Sequence, residues 1–278
     1  MPGEGETVTD RPERTLRILA DRDELTVTWF RYVPGEKGPD PHIHRQHTDA
    51  FYVLEGEVEF GLGPEVQAVR GEAGTLAAAP SNVVHTFRNA SDATAIFLNV
   101  HAPSMGFGDM LRARRDGRED VERFDQFDPP AGGGRALADA VVNASGKGDW
   151  IESRSRILVK AGAQDGDGHL AVFETVLPSG YPGPPLHLHR KTAEGFLVLD
   201  GTVVFTVGET EAELDTGAFA LVPPHLPHTF SNPEDAEARC LTIASPGGVE
   251  EFIRAAASAD PSELAALGAR YDTFLAGA

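Results

Sequence analysis

Two stretches of the chain, PHIHRQHTDAFYVLEGEVEF (Pro41–Phe60) and LHLHRKTAEGFLVLDGTVVF (Leu186–Phe205), align without a gap at an offset of 145 residues. Farther along, GTLAAAPSNVVHTFRN (Gly74–Asn89) lies over GAFALVPPHLPHTFSN (Gly217–Asn232) at an offset of 143. The change of two residues falls between the matched stretches, where turns tolerate insertions. One supersecondary unit therefore occurs twice, and the chain is interpreted as a duplication.

Each repeat has the pattern of β-strands. LTVTWFRYV (Leu25–Val33) and LAVFETVL (Leu170–Leu177) are rich in the branched and aromatic residues that favour pleated strands. Strand patterns recur about every 8–12 residues, with Gly, Pro or Asn between them, which indicates a sandwich or a barrel. Helical periodicity appears only behind each repeat, at 105–115 and at 249–259 with 261–275.

This pattern predicts three regions. Residues 1–115 form an N-terminal β unit with a trailing helix, and residues 149–278 form a C-terminal unit with trailing helices. Residues 116–148 contain an acidic run and the stretch PPAGGG, which is typical of a linker.

Composition limits the possible partners. The 278 residues carry 24 basic and 43 acidic side chains, and the net charge of -19 disfavours binding to nucleic acid or to a membrane surface. The single cysteine, Cys240, excludes an intramolecular disulfide. No stretch approaches the roughly 18 consecutive apolar residues of a membrane span, and the polar start of the chain is unlike a secretory signal. We therefore expect a cytoplasmic protein.

Histidine placement carries the functional information, because eight of the ten histidines fall inside the two repeats. In a strand, His-x-His directs both imidazoles to one face, so His187 and His189 point together. A hairpin partner would bring Glu194 alongside, and a later strand would add His228. Three imidazoles and one carboxylate suit a divalent transition metal with positions open for water, substrate or dioxygen. A lone buried histidine is more often a core residue, but the recurrence of the whole pattern argues against that explanation.

The chain resembles the cupin family, and its duplication makes it similar to a bicupin. The matching residues of the second repeat are His187, His189, Glu194, Gly201, Gly217, Pro223, His228 and Asn232. His225 stands where the family usually has glycine. The resemblance implies two tandem jelly-roll barrels (double-stranded β-helices) in an all-β chain, with a metal held by the three histidines and Glu194.

The first repeat departs from the family pattern. His42, His44 and His85 match, but the carboxylate is Asp49, one methylene shorter than glutamate, and Asn82 replaces a motif glycine. His47, in the adjacent turn, is an alternative fourth ligand. We expect a metal in each barrel, with Asp49 or His47 completing the first site.

Four phenylalanines share strand parity with the predicted ligands: Phe51, Phe87, Phe196 and Phe230. Each one could be ordinary core, or together they could line an apolar pocket that shields the metal and accepts a flat organic substrate. His225 could lie at the rim of that pocket or in a surface loop.

The family includes dioxygenases, decarboxylases, isomerases, epimerases and non-catalytic binders, so the motif does not fix the reaction. Resemblance to the quercetin 2,3-dioxygenase type of bicupin implies a metal-dependent dioxygenase acting on a small enol, a flavonol or a related aromatic substrate. Glu194 would then be both ligand and catalytic base, its pKa raised toward neutrality by apolar surroundings. The alternatives are a metal-dependent isomerase or decarboxylase and a non-catalytic small-molecule binder.

Iron, manganese, nickel, cobalt and zinc all accept this ligand set. The expected partners are a small-molecule substrate and, for a dioxygenase, dioxygen. A bicupin can mimic a dimer within one chain, so both a monomer and a homodimer stay open.

Overall fold

A computed structural model describes residues 5–118 and 124–276, which form two compact units. The N-terminal unit extends to Lys147 and also includes Gln164–His169. The C-terminal unit comprises Gly148–Ala163 and the chain from Leu170 onward. The prediction of an all-β chain built from two jelly-roll units is confirmed. Parts of the predicted regions, namely residues 1–4, 119–123 and 277–278, lie outside the described residues.

The N-terminal unit contains ten described strands. They are β1 (Glu6–Asp10), β2 (Arg14–Asp21), β3 (Thr26–Tyr32), β4 (Thr48–Glu55), β5 (Glu57–Leu62), β6 (Gln67–Glu72), β7 (Leu76–Ala79), β8 (His85–Arg88), β9 (Ala95–Ala102) and β10 (Val141–Asn143). Seven of them form a sheet in the order β1-β2-β3-β9-β4-β7-β10, and the other three form a sheet in the order β6-β5-β8. The two sheets are jelly-roll-like and do not close into a continuous barrel.

The C-terminal unit repeats this arrangement. Its strands are β11 (Asp149–Glu152), β12 (Arg156–Ala161), β13 (Ala171–Leu177), β14 (His187–Leu188), β15 (Ala193–Asp200), β16 (Thr202–Val207), β17 (Thr210–Asp215), β18 (Phe219–Val222), β19 (His228–Ser231), β20 (Ala238–Ser245) and β21 (Phe274–Leu275). One sheet has the order β11-β12-β13-β20-β15-β18, and the other has the order β17-β16-β19-β14-β21. The tight turns after β4 and β15 use Gly56 and Gly201, whose φ angles of 71° and 75° favour glycine.

The helices lie behind each repeat. They are α1 (Phe107–Arg115), α2 (Val249–Ala256) and α3 (Leu264–Arg270). Just before α3, the Asp260 carboxylate accepts a hydrogen bond from the backbone N–H of Ser262. The helical pattern predicted over 261–275 is too long, because Asp272 adopts a φ of 59° and Phe274–Leu275 is a strand. None of the helices within the described ranges is long and apolar enough to cross a membrane.

The segment predicted as a linker has structure of its own where it is described. Residues Val141–Asn143 pair with β7, and Leu137–Asp139 form a 3-10 turn. Phe127 pairs with Ile43 beside the first repeat. This part of the chain therefore belongs to the N-terminal unit, and the boundary at residue 148 stays a prediction.

Asn82 and His225, which replace the motif glycines, have φ angles of 62° and 69°. A side chain in this left-handed region costs roughly 1–2 kcal/mol, and less for asparagine.

We expect His225→Gly to stabilise the C-terminal unit by about 0.5–1 kcal/mol. The His225 side chain is exposed, and the variant keeps the hydrogen bond from the backbone N–H of residue 225 to the His189 carbonyl. Chemical denaturation checks this prediction. A destabilised His225→Gly variant would contradict it. Gly183→Ala is the opposite case, because φ is 85° and a Cβ there would clash with the Phe230 carbonyl.

Candidate metal centres

Three strands of the C-terminal unit contribute to its cluster. β14 supplies His187, with His189 just beyond it, while β15 supplies Glu194 and β19 begins at His228. His187 pairs directly with His228 across β14 and β19. The ligand atoms of the four side chains all lie within 4.8 Å of one another. The sequence-predicted set is therefore gathered around one point.

Backbone carbonyls fix the rotation of each imidazole. The Nδ1 atoms of His187, His189 and His228 donate to the carbonyls of Pro185, Asp272 and Leu226 at 2.9, 2.8 and 3.1 Å. With Nδ1 carrying the proton, each neutral ring presents the lone pair of Nε2 to the cluster. This is the tautomer that a metal ligand requires.

The contacts of Glu194 test whether a cation fits. Its Oε2 lies 3.1 Å from His189 Nε2 and 2.7 Å from His228 Nε2. A carboxylate oxygen and an imidazole lone pair repel at such distances unless a proton or a metal ion lies between them. The donor set, three nitrogens and one carboxylate oxygen, is one that divalent transition metals accept. The residues therefore fit a metal centre.

The pKa values follow from burial and from this close packing. Burial, with the adjacent His228, lowers the pKa of His187 to about 4. Burial also opposes the charge on His189, but Glu194 outweighs it and raises the pKa of His189. Burial would raise the pKa of Glu194, yet His189 and His228 outweigh it and hold the pKa well below the usual 4.5. The expectation that the pKa of Glu194 is raised toward neutrality is wrong, because apolar surroundings do not dominate there.

The N-terminal cluster repeats the same geometry. His42, His44, Asp49 and His85 also have ligand atoms within 4.8 Å of one another. The Nδ1 atoms of the three histidines, His42, His44 and His85, donate to the carbonyls of Asp40, Asp125 and Val83 at 2.9, 2.7 and 3.0 Å. Asp49 Oδ2 lies 3.1 Å from His85 Nε2 and 3.7 Å from His44 Nε2.

His44 Nε2 is buried without a hydrogen-bond partner among the described residues. An unpaired buried donor or acceptor is costly, so this atom also favours a bound cation. Burial, with the adjacent His47, lowers the pKa of His44 to about 4, and burial lowers the pKa of His42 well below 6.5. Both rings are therefore neutral near pH 7 and available as ligands.

Further polar side chains lie around Asp49. His101 Nε2 lies 3.5 Å from Asp49 Oδ1, Asn99 donates to the same oxygen, and His101 Nδ1 lies 2.8 Å from His47 Nε2. His47 Nδ1 donates to the Asp125 carboxylate at 2.8 Å. His44, His47 and His101 thereby form another group with convergent ligand atoms.

The same strand positions are apolar or smaller in the C-terminal unit. Asp49 pairs with His101 across β4 and β9, whereas Glu194 pairs with Ala244 across β15 and β20. His101 carries no signal in the sequence, because the second repeat has alanine, not histidine, at the equivalent position.

The four predicted phenylalanines differ between the units. Phe51 and Phe87 are buried with ring centroids 4.8 Å apart. Phe196 is buried, with its centroid 6.2 Å from that of His228, and Phe230 is half-buried. His225 is exposed, with its backbone N–H bound to the His189 carbonyl.

The interiors of the two units also differ in the size of the side chains that fill them. Phe30 pairs with Phe97 across β3 and β9, and their rings stack at 5.1 Å. The equivalent pair across β13 and β20 is Thr175 and Cys240. Smaller groups therefore occupy the inner face of the C-terminal unit.

Sequence comparison agrees with this geometry. The cupin domain model matches residues 28–101 and 173–244, which together are more than half of the chain. The chain belongs to the cupin family. Because the domain occurs twice, it is a bicupin.

Individual relatives are more distant. A segment of 90 residues is 39% identical to quercetin 2,3-dioxygenase of Bacillus subtilis, but it spans only 31% of this bicupin and 26% of that enzyme. The structure of AerE from Microcystis aeruginosa matches with a TM-score of 0.59 and 14% identity, over 87% of this chain and 96% of that one. Oxalate decarboxylase of Bacillus subtilis, studied for its Mn(II) centres, matches with a TM-score of 0.55 and 17% identity, over 87% and 76%. Identities this low establish the shared fold alone.

Metal binding in the C-terminal cluster should displace a proton. Because Glu194 raises the pKa of His189 above its ordinary value, the metal-free ring keeps its proton to a higher pH than a free imidazole would. Metal affinity should therefore fall as the pH falls through the pKa of His189. Calorimetric titration in buffers of different ionisation enthalpy should show close to one proton released per metal at this site. Affinity that does not change across this range, with no proton release, would contradict the assignment.

Proposed function

We propose that this bicupin is a metal-dependent dioxygenase whose reaction centre is the C-terminal cluster, acting on a small aromatic enol of the flavonol type. The observation that carries the proposal is the partial exposure of His187 in an otherwise buried ligand set. In the N-terminal cluster all four side chains are at least 95% buried. A substrate can reach the one cluster far more readily than the other.

The surroundings of the C-terminal cluster favour an apolar, flat ligand. Phe196 lies with its ring centroid 6.2 Å from that of His228. Half-buried apolar residues pack against the core cluster that contains Phe196, and they are Tyr181, Val207, Leu214, Ala220, Leu226 and Phe230. Pockets for small organic molecules are typically apolar with a few fixed polar groups. The 39% identity to a segment of quercetin 2,3-dioxygenase supports the same substrate class.

A divalent transition metal bound there would act as a Lewis acid and, where redox-active, as a partner for dioxygen. The chain supplies three imidazoles, which stay oriented because their Nδ1 atoms are already hydrogen-bonded, and His189 gives up its Nε2 proton when a metal binds. Glu194 is the one carboxylate of the four, so it both balances charge and offers an oxygen that can accept the proton of an enol hydroxyl. Its low pKa makes it a weak base, which suits an acidic hydroxyl better than an aliphatic alcohol.

For the N-terminal cluster we propose a structural metal with Asp49 as the fourth ligand. Asp49 Oδ2 lies among the histidine Nε2 atoms. His47, in contrast, has Nδ1 on Asp125 and Nε2 against His101. Its two ring nitrogens are therefore already engaged outside that cluster.

Oxygen uptake tests the proposed reaction. Protein loaded in turn with iron, manganese, nickel, cobalt or zinc would be assayed with a panel of flavonols and other enols, in air and under argon. The proposal predicts oxygen consumption that depends on both metal and substrate. Turnover that persists under argon would contradict it and would instead indicate a decarboxylase or an isomerase, which use similar sites as Lewis acids.

Glu194→Ala removes the anionic ligand and the candidate proton acceptor together. We expect turnover to fall by at least about 100-fold, as measured by oxygen uptake at saturating substrate. Glu211→Ala, on the exposed strand β17, is the matched control and should retain activity. Activity that survives in Glu194→Ala would remove this residue from the reaction.

A further inference from the structure

A short motif recurs behind the helices of both units. It reads FDQF at Phe124–Phe127 and YDTF at Tyr271–Phe274, an offset of 147 residues. We call these four-residue segments the N-terminal clamp and the C-terminal clamp. Sequence reasoning missed them because one was placed in a linker and the other in a helix, although the repetition of Asp-x-Phe was a usable signal.

The C-terminal clamp contacts the metal cluster through Asp272. Its carbonyl accepts the Nδ1–H of His189 at 2.8 Å. Its carboxylate Oδ2 accepts the backbone N–H groups of Arg190, Lys191 and Thr192 at 3.0, 2.7 and 3.2 Å. One aspartate therefore fixes both the ring of His189 and the turn that follows it.

The N-terminal clamp makes the same two contacts through Asp125. Its carbonyl accepts the Nδ1–H of His44 at 2.7 Å, and its Oδ2 accepts the backbone N–H groups of Arg45 and Gln46 at 3.1 and 2.9 Å. Both aspartates have a φ of 59°. This left-handed conformation is one that aspartate tolerates better than most residues, and it lets carbonyl and carboxylate act on the same loop.

The phenylalanine of each clamp adds a third contact. The Arg45 guanidinium lies 3.7 Å from the ring centre of Phe127, and that of Arg190 lies 4.0 Å from the ring centre of Phe274. Ile43 pairs with Phe127, just as Leu188 pairs with Phe274. Such contacts are attractive because the positive guanidinium lies over the negative face of the aromatic ring.

The middle histidine of each cluster is the one that needs this help. The first and third histidines donate to carbonyls only two residues earlier, as His187 does to Pro185 and His228 does to Leu226. His189 instead donates to a carbonyl 83 residues away, and His44 to one 81 residues away. Local folding thus orients two ligands, whereas the third depends on a distant segment.

We propose that Asp272 and Asp125 are positioning residues, each setting the orientation of the middle histidine of its own metal centre. The inference rests on the metal centres of the proposed function, but it concerns how they are built rather than which reaction they perform. Loss of the hydrogen bond that orients a metal ligand typically lowers metal affinity by about 10–100-fold. Replacing Asp272 by alanine keeps its backbone carbonyl but removes the carboxylate that anchors this carbonyl to the turn after His189, so the bond to the ring is no longer held in place.

The test uses full-length chains that retain one centre. In a His42→Ala, His44→Ala background, which also breaks the group of His44, His47 and His101, Co²⁺ titrations report the C-terminal centre through affinity and through the d–d spectrum. Asp272→Ala should lower that affinity by about 10–100-fold and alter the spectrum. Asp125→Ala in the same background should leave both unchanged. The reciprocal background, His187→Ala with His228→Ala, should reverse the two results.

Two further measurements separate positioning from general damage. Asp272→Asn keeps an acceptor oxygen and should bind Co²⁺ within about threefold of the parent. In the metal-free chain, Asp272→Ala should accelerate hydrogen exchange at the amides of Arg190, Lys191 and Thr192 and leave the exchange of the β15 core amides unchanged. The hydrogen-exchange measurement does not require metal. A parent protein that binds no Co²⁺ would therefore refute the proposed function, while hydrogen exchange would still test the role of Asp272.

Several results would overturn the proposal. One is an Asp272→Ala centre with unchanged affinity and spectrum. Another is equal loss from both centres together with faster exchange throughout the chain. Unchanged exchange at residues 190–192, or an asparagine variant as weak as the alanine variant, would also overturn it.

Discussion

The hydrogen bond from an imidazole Nδ1 to a backbone carbonyl is the interaction on which both centres depend. It occurs at all six histidines of the two four-residue clusters, between 2.7 and 3.1 Å. It fixes the tautomer, and so determines that every Nε2 lone pair faces inward. Inward-facing Nε2 atoms beside a carboxylate are electrostatically unfavourable unless a cation lies between them. That cation is a proton in the metal-free chain, as the raised pKa of His189 indicates, or the metal ion that we propose.

Duplication has given the two units one framework and different surroundings. The N-terminal cluster is sealed, with Asp49 enclosed by Asn99, His101 and the other ring nitrogens. The C-terminal cluster has the longer carboxylate of Glu194, small neighbours and a partly exposed His187. A sealed centre can stabilise the chain, whereas only an accessible one can turn over a substrate. The division of labour that we propose follows from exposure, since the ligand types are nearly the same.

The sequence was sufficient for what local periodicity and repetition encode. His-x-His on a strand, a carboxylate five residues later and a third histidine downstream were enough to predict the clusters. Distant partners were not predictable in this way: Asp272 lies 83 residues from His189, and no local pattern joins them. The predicted shift in the pKa of Glu194 had the wrong direction. The sequence shows apolar neighbours, but it does not show how closely His189 and His228 approach the carboxylate.

The most direct measurement is a crystal structure of the purified protein with anomalous scattering recorded at the absorption edge of its native metal. We predict a peak within about 2.0–2.3 Å of Nε2 of His187, His189 and His228 and of a carboxylate oxygen of Glu194. A peak bound elsewhere, or rings of these residues turned away from one another in the presence of excess metal, would contradict it.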